Sequence, residues 1–247
     1  MKDMLKIDMH VHSKGISLCS LASCEEIIEH KVQLGYDGAV LTNHCQARYY
    51  PAELHGEYIE RVIEEFERGI SYARKRNFRL YLGLEVTIFQ PFYSDWLLYG
   101  VTEEILRRSP CLYQLTQKEL FAFCEENGVL LIQAHPYRGG RSYCVDQRPA
   151  DPAYLHGLEI NCTPGDLETA DRIVEFCERE GKLVTCGTDY HHLDRTYFGG
   201  TYLPSGIETA RDIGEYLRKT NKTHVFLGEK TLEIPVNKRD CGIFEKN

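Results

Sequence analysis

Short apolar runs alternate along the chain with longer segments in which apolar residues recur at helical spacing. The runs have the length of strands, and several are apolar throughout, as in strands covered on both faces. They lie at Leu5–Val11, Gly38–Leu41, Leu80–Ile88, Trp96–Val101, Val129–Gln133, Gly157–Asn161, Leu183–Cys186 and Val225–Leu227. The segments between them predict helices near Cys24–Leu34, Ala52–Arg76, Gln117–Glu126, Asp166–Glu180 and Glu208–Arg218.

Local signals support several of these helix boundaries. Ser23 precedes Glu26, and Thr116 precedes Glu119, at the three-residue spacing of a capping box. Three helices are followed by a glycine where a left-handed cap is expected, namely Gly35, Gly128 and Gly181.

The alternation of strands and helices predicts parallel strands joined by crossover helices. Eight predicted strands in 247 residues favour a barrel over a short open sheet. We therefore predict an α/β fold with a single domain covering residues 1–247. In such barrels the loops at the carboxyl ends of the strands carry the chemistry.

Composition narrows the functional classes. The chain is 43% hydrophobic, so it can bury a core, and no apolar run approaches the roughly 20 residues that cross a bilayer. The first residues lack the apolar centre of a signal peptide, so we expect a cytoplasmic protein without a membrane partner. The formal charge of −8 predicts no extensive nucleic-acid binding and leaves a small phosphorylated substrate as the expected partner.

Cysteine usage gives no sign of a zinc ribbon or a redox motif, because the ten cysteines include no C-x-x-C pair. Cys124 and Cys177 lie in apolar helical stretches and are predicted to be small buried hydrophobic residues.

Histidine and carboxylate residues follow the ends of several predicted strands. Residues two apart on a strand share a face, which pairs His10 with His12 and Asp189 with His191. Imidazole and carboxylate together suit zinc, manganese or iron. The candidate set is too large for one tetrahedral ion: His10, His12, His44, Glu85, His135, Asp189 and His191.

The order of these motifs resembles the PHP family, which is named for polymerase and histidinol phosphatase domains. The motifs are D-x-H-x-H-S, T-N-H, G-L-E, A-H-P and G-T-D-x-H, spread from about Ile7 to His192. The resemblance implies a distorted TIM-like (β/α)7 barrel with two or three divalent ions at the carboxyl ends of its strands. It also implies hydrolysis of phosphoesters.

The resemblance further implies a division of the ligands. One ion would be held by His10, His12, Glu85 and Asp189. Glu85 would bridge to a second ion bound by His135, while His44 and His191 would serve a third.

The chain departs from the family pattern in three places. Many members have His or Asp where this chain has Cys19, so either its thiolate or a water would fill that position. Asn43 replaces the Asp of the more usual T-D-H. The histidine that some trinuclear members carry between the third and fifth strands is absent near residues 95–100, which favours two filled sites over three.

These residues suggest a mechanism in which metal-activated water attacks a phosphate monoester without a covalent intermediate. Histidinol phosphate and nucleotides are the candidate substrates, and oligonucleotide ends and phosphotyrosine peptides also stay open. Asp189 and His191 are the candidate catalytic residues that would shuttle a proton to the leaving group.

Arg138 is predicted to clamp the phosphate, because it lies three residues beyond His135 and guanidinium binds phosphate in bidentate fashion. Lys14 is the second candidate for substrate binding and Arg195 the third. Glu159 and Asn161 are predicted to orient ligands rather than to bind metal.

Two other interpretations stay open. The first is an amidohydrolase-like deaminase or ring hydrolase, which Glu85 disfavours because that class commonly uses a carboxylated lysine or a further histidine on a middle strand. The second is a catalytically silent, metal-stabilised regulatory module, which the near-complete ligand set disfavours.

Overall fold

A computed structural model of the protein describes residues 3–138 and 148–237. The strands there are β1 (Met4–Val11), β2 (Gly38–Leu41), β3 (His44–Cys45), β4 (Arg79–Ile88), β5 (Ser94–Tyr99), β6 (Leu130–Gln133), β7 (Gly157–Asn161), β8 (Leu183–Gly187), β9 (Gly199–Pro204), β10 (Lys222–Leu227) and β11 (Lys230–Pro235). The helices are α1 (Cys24–Gln33), α2 (His55–Lys75), α3 (Glu103–Arg108), α4 (Gln117–Asn127), α5 (Pro164–Leu167), α6 (Ala170–Glu180) and α7 (Ala210–Lys219).

The local signals in the sequence form as predicted. Ser23 and Glu26 make a capping box at the start of α1, and Thr116 and Glu119 make one at the start of α4. The three predicted cap glycines all have positive φ, with values of 81°, 69° and 65° for Gly35, Gly128 and Gly181.

Seven strands, β1, β2 and β4 to β8, form the wall of a nearly closed barrel. Tyr190, just after β8, closes the carboxyl end: its N–H donates to the His10 carbonyl at 3.1 Å, and its carbonyl accepts from the His12 N–H at 3.0 Å. The predicted distorted TIM-like (β/α)7 barrel is therefore confirmed. The closing bonds flank the two histidines of β1, which fixes their positions.

The prediction of parallel strands throughout was wrong in two places. β5 runs antiparallel to both β4 and β6. Residues 89–93 connect β4 to β5, and this connection is far shorter than the dozen or more residues that a parallel crossover needs. An antiparallel set, β9 to β11, also extends the sheet beyond β1.

β9 and β11 were not predicted because their sequences do not read as apolar runs. β9 begins at Gly199 and Gly200, and a Cβ on Gly200 would lie 2.2 Å from the Ile7 carbonyl oxygen. Glycine is thus required where β9 approaches β1, although it weakens the strand signal. β11 is mostly exposed and carries polar residues at the sheet edge.

The apolar core packs between the barrel wall and the helices that cover it. Cys124 and Cys177 are fully buried in it, as predicted. Burial raises the pKa of the Cys177 thiol to about 12, so this residue behaves as a neutral, inert group. Within residues 3–138 and 148–237, no helix has the length and apolar composition for crossing a bilayer.

His156 links β6 to α4 and gives a pH-dependent contribution to stability. Its Nδ1 accepts from the Leu131 N–H at 2.9 Å, so its Nε2–H donates to Glu125 at 2.8 Å. Burial lowers the pKa of His156 to about 4. Because the folded pKa lies below the unfolded value, the stabilisation is complete above about pH 6.5 and is lost as the pH falls toward 4.

We therefore expect the His156→Asn variant to lose less stability than the wild type between pH 7 and pH 5. The wild type should lose about 2 kcal/mol more over that interval. Its His156 ring takes up a proton when the protein unfolds, and a lower pH favours this uptake. Urea denaturation of both proteins at the two pH values measures this difference. Equal losses would show that His156 does not remain neutral in the folded protein.

Candidate metal centre

The seven predicted ligands lie together at the carboxyl ends of the barrel strands. Among the described residues, three groups place their ligand atoms within 4.8 Å of one another: His10 with His12 and Asp189; His12 with His44 and His191; and Glu85 with Asp95 and His135. The predicted convergence is therefore observed, and the assignment of each residue to an ion stays a prediction.

Glu159, behind the cluster, determines which ring nitrogen of neutral His10 carries the hydrogen. Its Nδ1 lies 2.9 Å from Glu159 Oε1, and a carboxylate oxygen can only accept, so Nδ1 carries the hydrogen. The lone pair is then on Nε2, which faces His12 Nε2 at 2.9 Å. Asn161 donates to Glu159 at 3.3 Å, in keeping with the orienting role predicted for both residues.

A chain of hydrogen bonds fixes His12 in the same way. The Asn43 side-chain oxygen accepts from the Ser13 N–H and from the Ser17 hydroxyl, both at 2.8 Å. Ser17 therefore uses its oxygen to accept from His12 Nδ1 at 3.1 Å. His12 Nε2 is left as an acceptor, so only a proton or a cation can stabilise the contact between Nε2 of His12 and Nε2 of His10. Asn43 thus keeps an orienting role without the usual charge.

Glu85 is the centre of the cluster. Its Oε1 lies 3.3 Å from Nε2 of both His10 and His135, and its Oε2 lies 2.6 Å from His44 Nδ1. The Glu85 side chain is only 1% exposed, yet neither Oε2 nor His44 Nδ1 has a hydrogen-bond partner in suitable geometry. Buried polar atoms without partners are costly, and a divalent cation between nitrogen and carboxylate oxygen would satisfy both. The residues therefore fit a divalent metal.

Electrostatics in the cluster favour a cation. Burial would raise the pKa of Glu85, but the neighbouring His44 and His10 hold it well below its usual range. Burial would lower the pKa of His10, but the carboxylates of Glu159, Glu85 and Asp189 raise it well above its usual value. Burial, followed by His44 and His191, lowers the pKa of His12. The Glu85 carboxylate therefore stays ionised and favours a nearby positive charge. His12 stays neutral, so its lone pair can bind a metal ion.

Asp95 was missed by the sequence analysis. It lies at the start of β5 opposite Thr87 of β4, and the Thr87 hydroxyl donates to its Oδ1 at 2.6 Å. Asp95 joins Glu85 and His135 in the third group. Recognising that β4 and β5 form a hairpin would have placed this carboxylate at the rim.

A buried ion pair supports the loop that carries Asp189. Asp8 Oδ2 accepts from Lys31 Nζ at 2.5 Å and from the Thr188 hydroxyl at 2.5 Å, while Asp8 Oδ1 accepts from the Thr188 N–H at 3.0 Å. Asp189 and His135 both have positive φ, at 49° and 31°, which is uncommon outside glycine. Strained backbone of this kind persists only where the surroundings hold it, and it concentrates at functional sites.

The cavity beside the cluster has a volume of about 750 Å³ and is lined in part by Arg138, Asp189, His191 and Arg195. Arg138 donates to Asp166 and Asp189, each at 2.7 Å, so it also holds a predicted metal ligand in place.

Lys14 lies apart from this cavity. It is exposed, and its charge acts on the Glu26 carboxylate at the start of α1. Of the two residues predicted first for substrate binding, Arg138 lines the cavity and Lys14 does not. Only Arg138 of this pair could therefore reach a phosphate at the cluster.

No protein-family model and no curated protein sequence matches the chain. Solved structures match its fold. A two-domain protein from Bacteroides vulgatus, described as containing a predicted PHP-like metal-dependent phosphoesterase, superposes with a TM-score of 0.63 at 20% identity, over 91% of this chain and 65% of that one. A candidate metal-dependent phosphoesterase from Bifidobacterium adolescentis gives 0.55 at 14% identity, over 85% and 94% of the two chains.

A third neighbour corrects one expectation. Endonuclease Q in complex with a 27-mer duplex, which has an abasic lesion at the active site, superposes with a TM-score of 0.56 at 13% identity, over 87% of this chain and 56% of that one. The expectation of a small phosphorylated substrate and no extensive nucleic-acid binding was therefore wrong. A formal charge of −8 describes the whole surface and does not set the potential at one rim.

Three observations point to the same fold: the order of the motifs, the convergence of their residues at one rim, and the solved neighbours. The resemblance to the PHP family is confirmed at the level of fold, and the chain has the barrel of PHP-like metal-dependent phosphoesterases.

Proposed function

We propose that this protein is a metal-dependent phosphoesterase that hydrolyses a phosphoester of a nucleic-acid strand. The observation that carries the proposal is the buried Glu85 carboxylate. Its two oxygens lie within 3.4 Å of four histidine rings, and its Oε2 makes no hydrogen bond of suitable geometry. No other arrangement in the described residues gathers so many ligand atoms at one rim.

We propose two or three divalent ions of zinc, manganese or iron as cofactors. His10, His12 and Asp189 would hold one, and Glu85 would reach a second with Asp95 and His135. When bound, such ions lower the pKa of a coordinated water and supply hydroxide near neutral pH.

The protein's own residues would orient the ester and move a proton. Arg138 and Arg195 line the cavity and would position the phosphate oxygens. His191 Nδ1 donates to the Asp189 carbonyl at 2.7 Å, which leaves Nε2 free to hold a proton for the leaving group. Asp189 would fix His191 through its carbonyl and balance the charge of Arg138, while its part in proton transfer stays a prediction.

The nucleic-acid substrate is supported by the named activity of endonuclease Q and by the form of the cavity. Two arginines and a histidine, Arg138, Arg195 and His192, line an open cavity at the barrel rim, where a phosphate on a long strand can approach. The phosphate backbone dominates protein affinity for nucleic acids, so a local cationic group suffices to begin such binding.

The other two interpretations are weaker. The middle-strand position at the cluster is Glu85 of β4, where an amidohydrolase of this kind would carry a carboxylated lysine. A silent regulatory module would not need the ligand atoms to remain as closely placed as they are here.

The proposal is tested with protein stripped of metal and reloaded with manganese, zinc or iron. Labelled single strands and duplexes carrying a terminal phosphate or an abasic site are incubated with it and resolved on a denaturing gel. We expect metal-dependent cleavage or phosphate release that is lost in His10→Ala and kept in His224→Ala, a histidine on β10 bonded to Glu233. Failure on every nucleic acid, or activity that survives His10→Ala, would contradict the proposal.

The two arginines should have separable effects. We expect Arg195→Ala mainly to raise KM, because it removes a phosphate contact. Arg138→Ala should raise KM and also weaken metal binding by about 10- to 100-fold, because Asp189 loses its partner. Steady-state kinetics and manganese titration measure both effects. Unchanged KM and metal affinity in Arg138→Ala would remove that residue from the site.

A further inference from the structure

The hairpin of β4 and β5 carries an aromatic pair just beyond the metal centre. Glu85 and Thr87 lie two residues apart on β4, and Asp95 of β5 lies opposite Thr87. Because residues two apart on a strand share a face, the next pair on this face is Phe89 and Tyr93. Their rings contact each other edge to face, with centroids 5.2 Å apart and planes at 76°. A step of two residues is about 7 Å, so this pair lies one step outward from the Asp95 carboxylate.

Phe89 is not needed for the core at this end of the barrel. The other face of the hairpin, with Val86, Ile88 and Trp96, is fully buried in the main apolar cluster. The Phe89 side chain, by contrast, is 55% exposed. A single exposed ring is ordinary on a protein surface, so its role depends on what adjoins it.

Phe89 forms one wall of a cavity of about 300 Å³. The other walls come from the loop after β3, from the turn of the hairpin and from the segment that follows α3, and their residues are Ala47, Gln90, Tyr113, Gln114 and Leu115. Aromatic and aliphatic side chains are thus combined with two primary amides, each of which carries donors and an acceptor. A planar heteroaromatic ring has apolar faces and a polar edge, and this combination of walls suits it.

The loop after β3 connects this cavity to the metal centre. The Tyr49 ring centroid lies 5.7 Å from that of His44, a predicted metal ligand. The guanidinium of Arg48 lies 5.8 Å from the Tyr49 ring, and Arg48 directly follows Ala47 of the cavity wall. Arg48 is exposed, so it adds positive charge beside the cavity. A strand with one phosphate at the centre would therefore have the cavity within reach of an adjoining base.

We propose that the cavity beside Phe89 binds an unpaired nucleobase of the strand whose phosphate lies at the metal centre, with the base stacked on the Phe89 ring. The proposal rests on the proposed function and narrows its substrate to a strand with an unpaired base next to the reacting phosphate. A base inside a duplex is covered on both faces and paired along its edge, so it cannot enter such a cavity. The two amides favour a base over an apolar peptide side chain, which has no polar edge to offer them.

The first test measures binding rather than cleavage. Manganese-loaded protein is titrated into short labelled single strands whose phosphorothioate linkages resist hydrolysis, and fluorescence anisotropy is recorded. We expect Phe89→Ala to weaken binding about fivefold or more, because it removes an aromatic ring from under a base. Phe89→Trp keeps a ring face and should bind like the wild type. The matched control is Tyr72→Ala, which removes a ring bonded to Glu29 in the last turn of α2, and it should leave binding unchanged.

A second measurement uses the wild type and therefore does not depend on the folding of a variant. The base is removed at one position of the strand at a time. At one position we expect the missing base to weaken wild-type binding as much as Phe89→Ala does, and we expect the two losses not to add, because they remove the same contact.

Each outcome decides a different claim. Equal affinities of Phe89→Ala and the wild type, or losses that add at every position of the strand, would overturn the proposal. Binding that depends on Phe89 and on one base, without hydrolysis of the ordinary strand, would support the base site and overturn only the proposed function. Absence of binding to every strand would overturn both.

Discussion

Replacing Glu85 with glutamine is expected to lower kcat at least about 100-fold and to reduce the bound metal. The carboxylate lies within 3.4 Å of nitrogens from His10, His12, His44 and His135, so it contacts members of all three ligand groups. Replacing a group that only supports a ligand already costs 10- to 100-fold in such sites. Loss of a bridging charge should cost more.

Two comparisons make this result specific. Glu159→Gln changes a residue behind His10, so its effect should be smaller than that of Glu85→Gln. Glu125→Gln, on α4 beside His156, should keep activity and metal content. Metal analysis of the purified proteins and initial rates on the nucleic-acid substrate provide the measurements. A Glu85→Gln protein with normal kcat and normal metal content would exclude Glu85 as a bridging ligand.

Replacing Lys31 with methionine is expected to lower the free energy of unfolding by about 3–5 kcal/mol. The ammonium group is fully buried, donates to Asp8 and to Thr188 at 2.5 Å and 3.1 Å, and lies over the rings of Tyr36 and Tyr190. Its removal leaves the Asp8 carboxylate as an uncompensated charge in the core, and such a charge is strongly destabilising.

A matched lysine and a double variant complete this test. Lys219→Met removes an exposed ion pair with Glu215 on α7 and should cost at most about 1 kcal/mol. Lys31→Met combined with Asp8→Asn should cost less than the sum of the two single changes, because the lone charge is gone. Urea denaturation of the wild type and the four variants measures these differences. A loss for Lys31→Met no larger than that for Lys219→Met would show that the buried pair does not stabilise the barrel.

The sequence predicted the parts of the fold and centre that depend on local pattern. The alternation of strands and helices favoured a barrel, and the resemblance to the PHP family implied its seven strands. Residues two apart on β1 had to share a face, so His10 and His12 were found together. The order of the other motifs placed Glu85, His135 and Asp189 at the same rim. These inferences use the spacing of residues along single strands and the rule that barrels carry their chemistry at the carboxyl ends of the strands.

The features that were missed depend on pairing between distant segments. Asp95 enters the centre only because β5 turns back antiparallel to β4, and no residue pattern fixed that direction. Lys31 was an ordinary lysine on an amphipathic helix, and its burial depends on its pairing with Asp8 of β1, a residue distant in sequence. The expectation of no extensive nucleic-acid binding failed because net charge averages over the whole surface and does not describe one rim.

The central claim is that one rim of the barrel holds a polynuclear metal centre, and crystals grown with excess manganese and zinc test it most directly. Data collected at the absorption edge of each metal would locate the ions by anomalous scattering. We expect at least two peaks at the cluster, with ligand distances of about 2.0–2.3 Å from His10, His12 and Glu85. Crystals that diffract well and show no anomalous peak among these residues would contradict the claim.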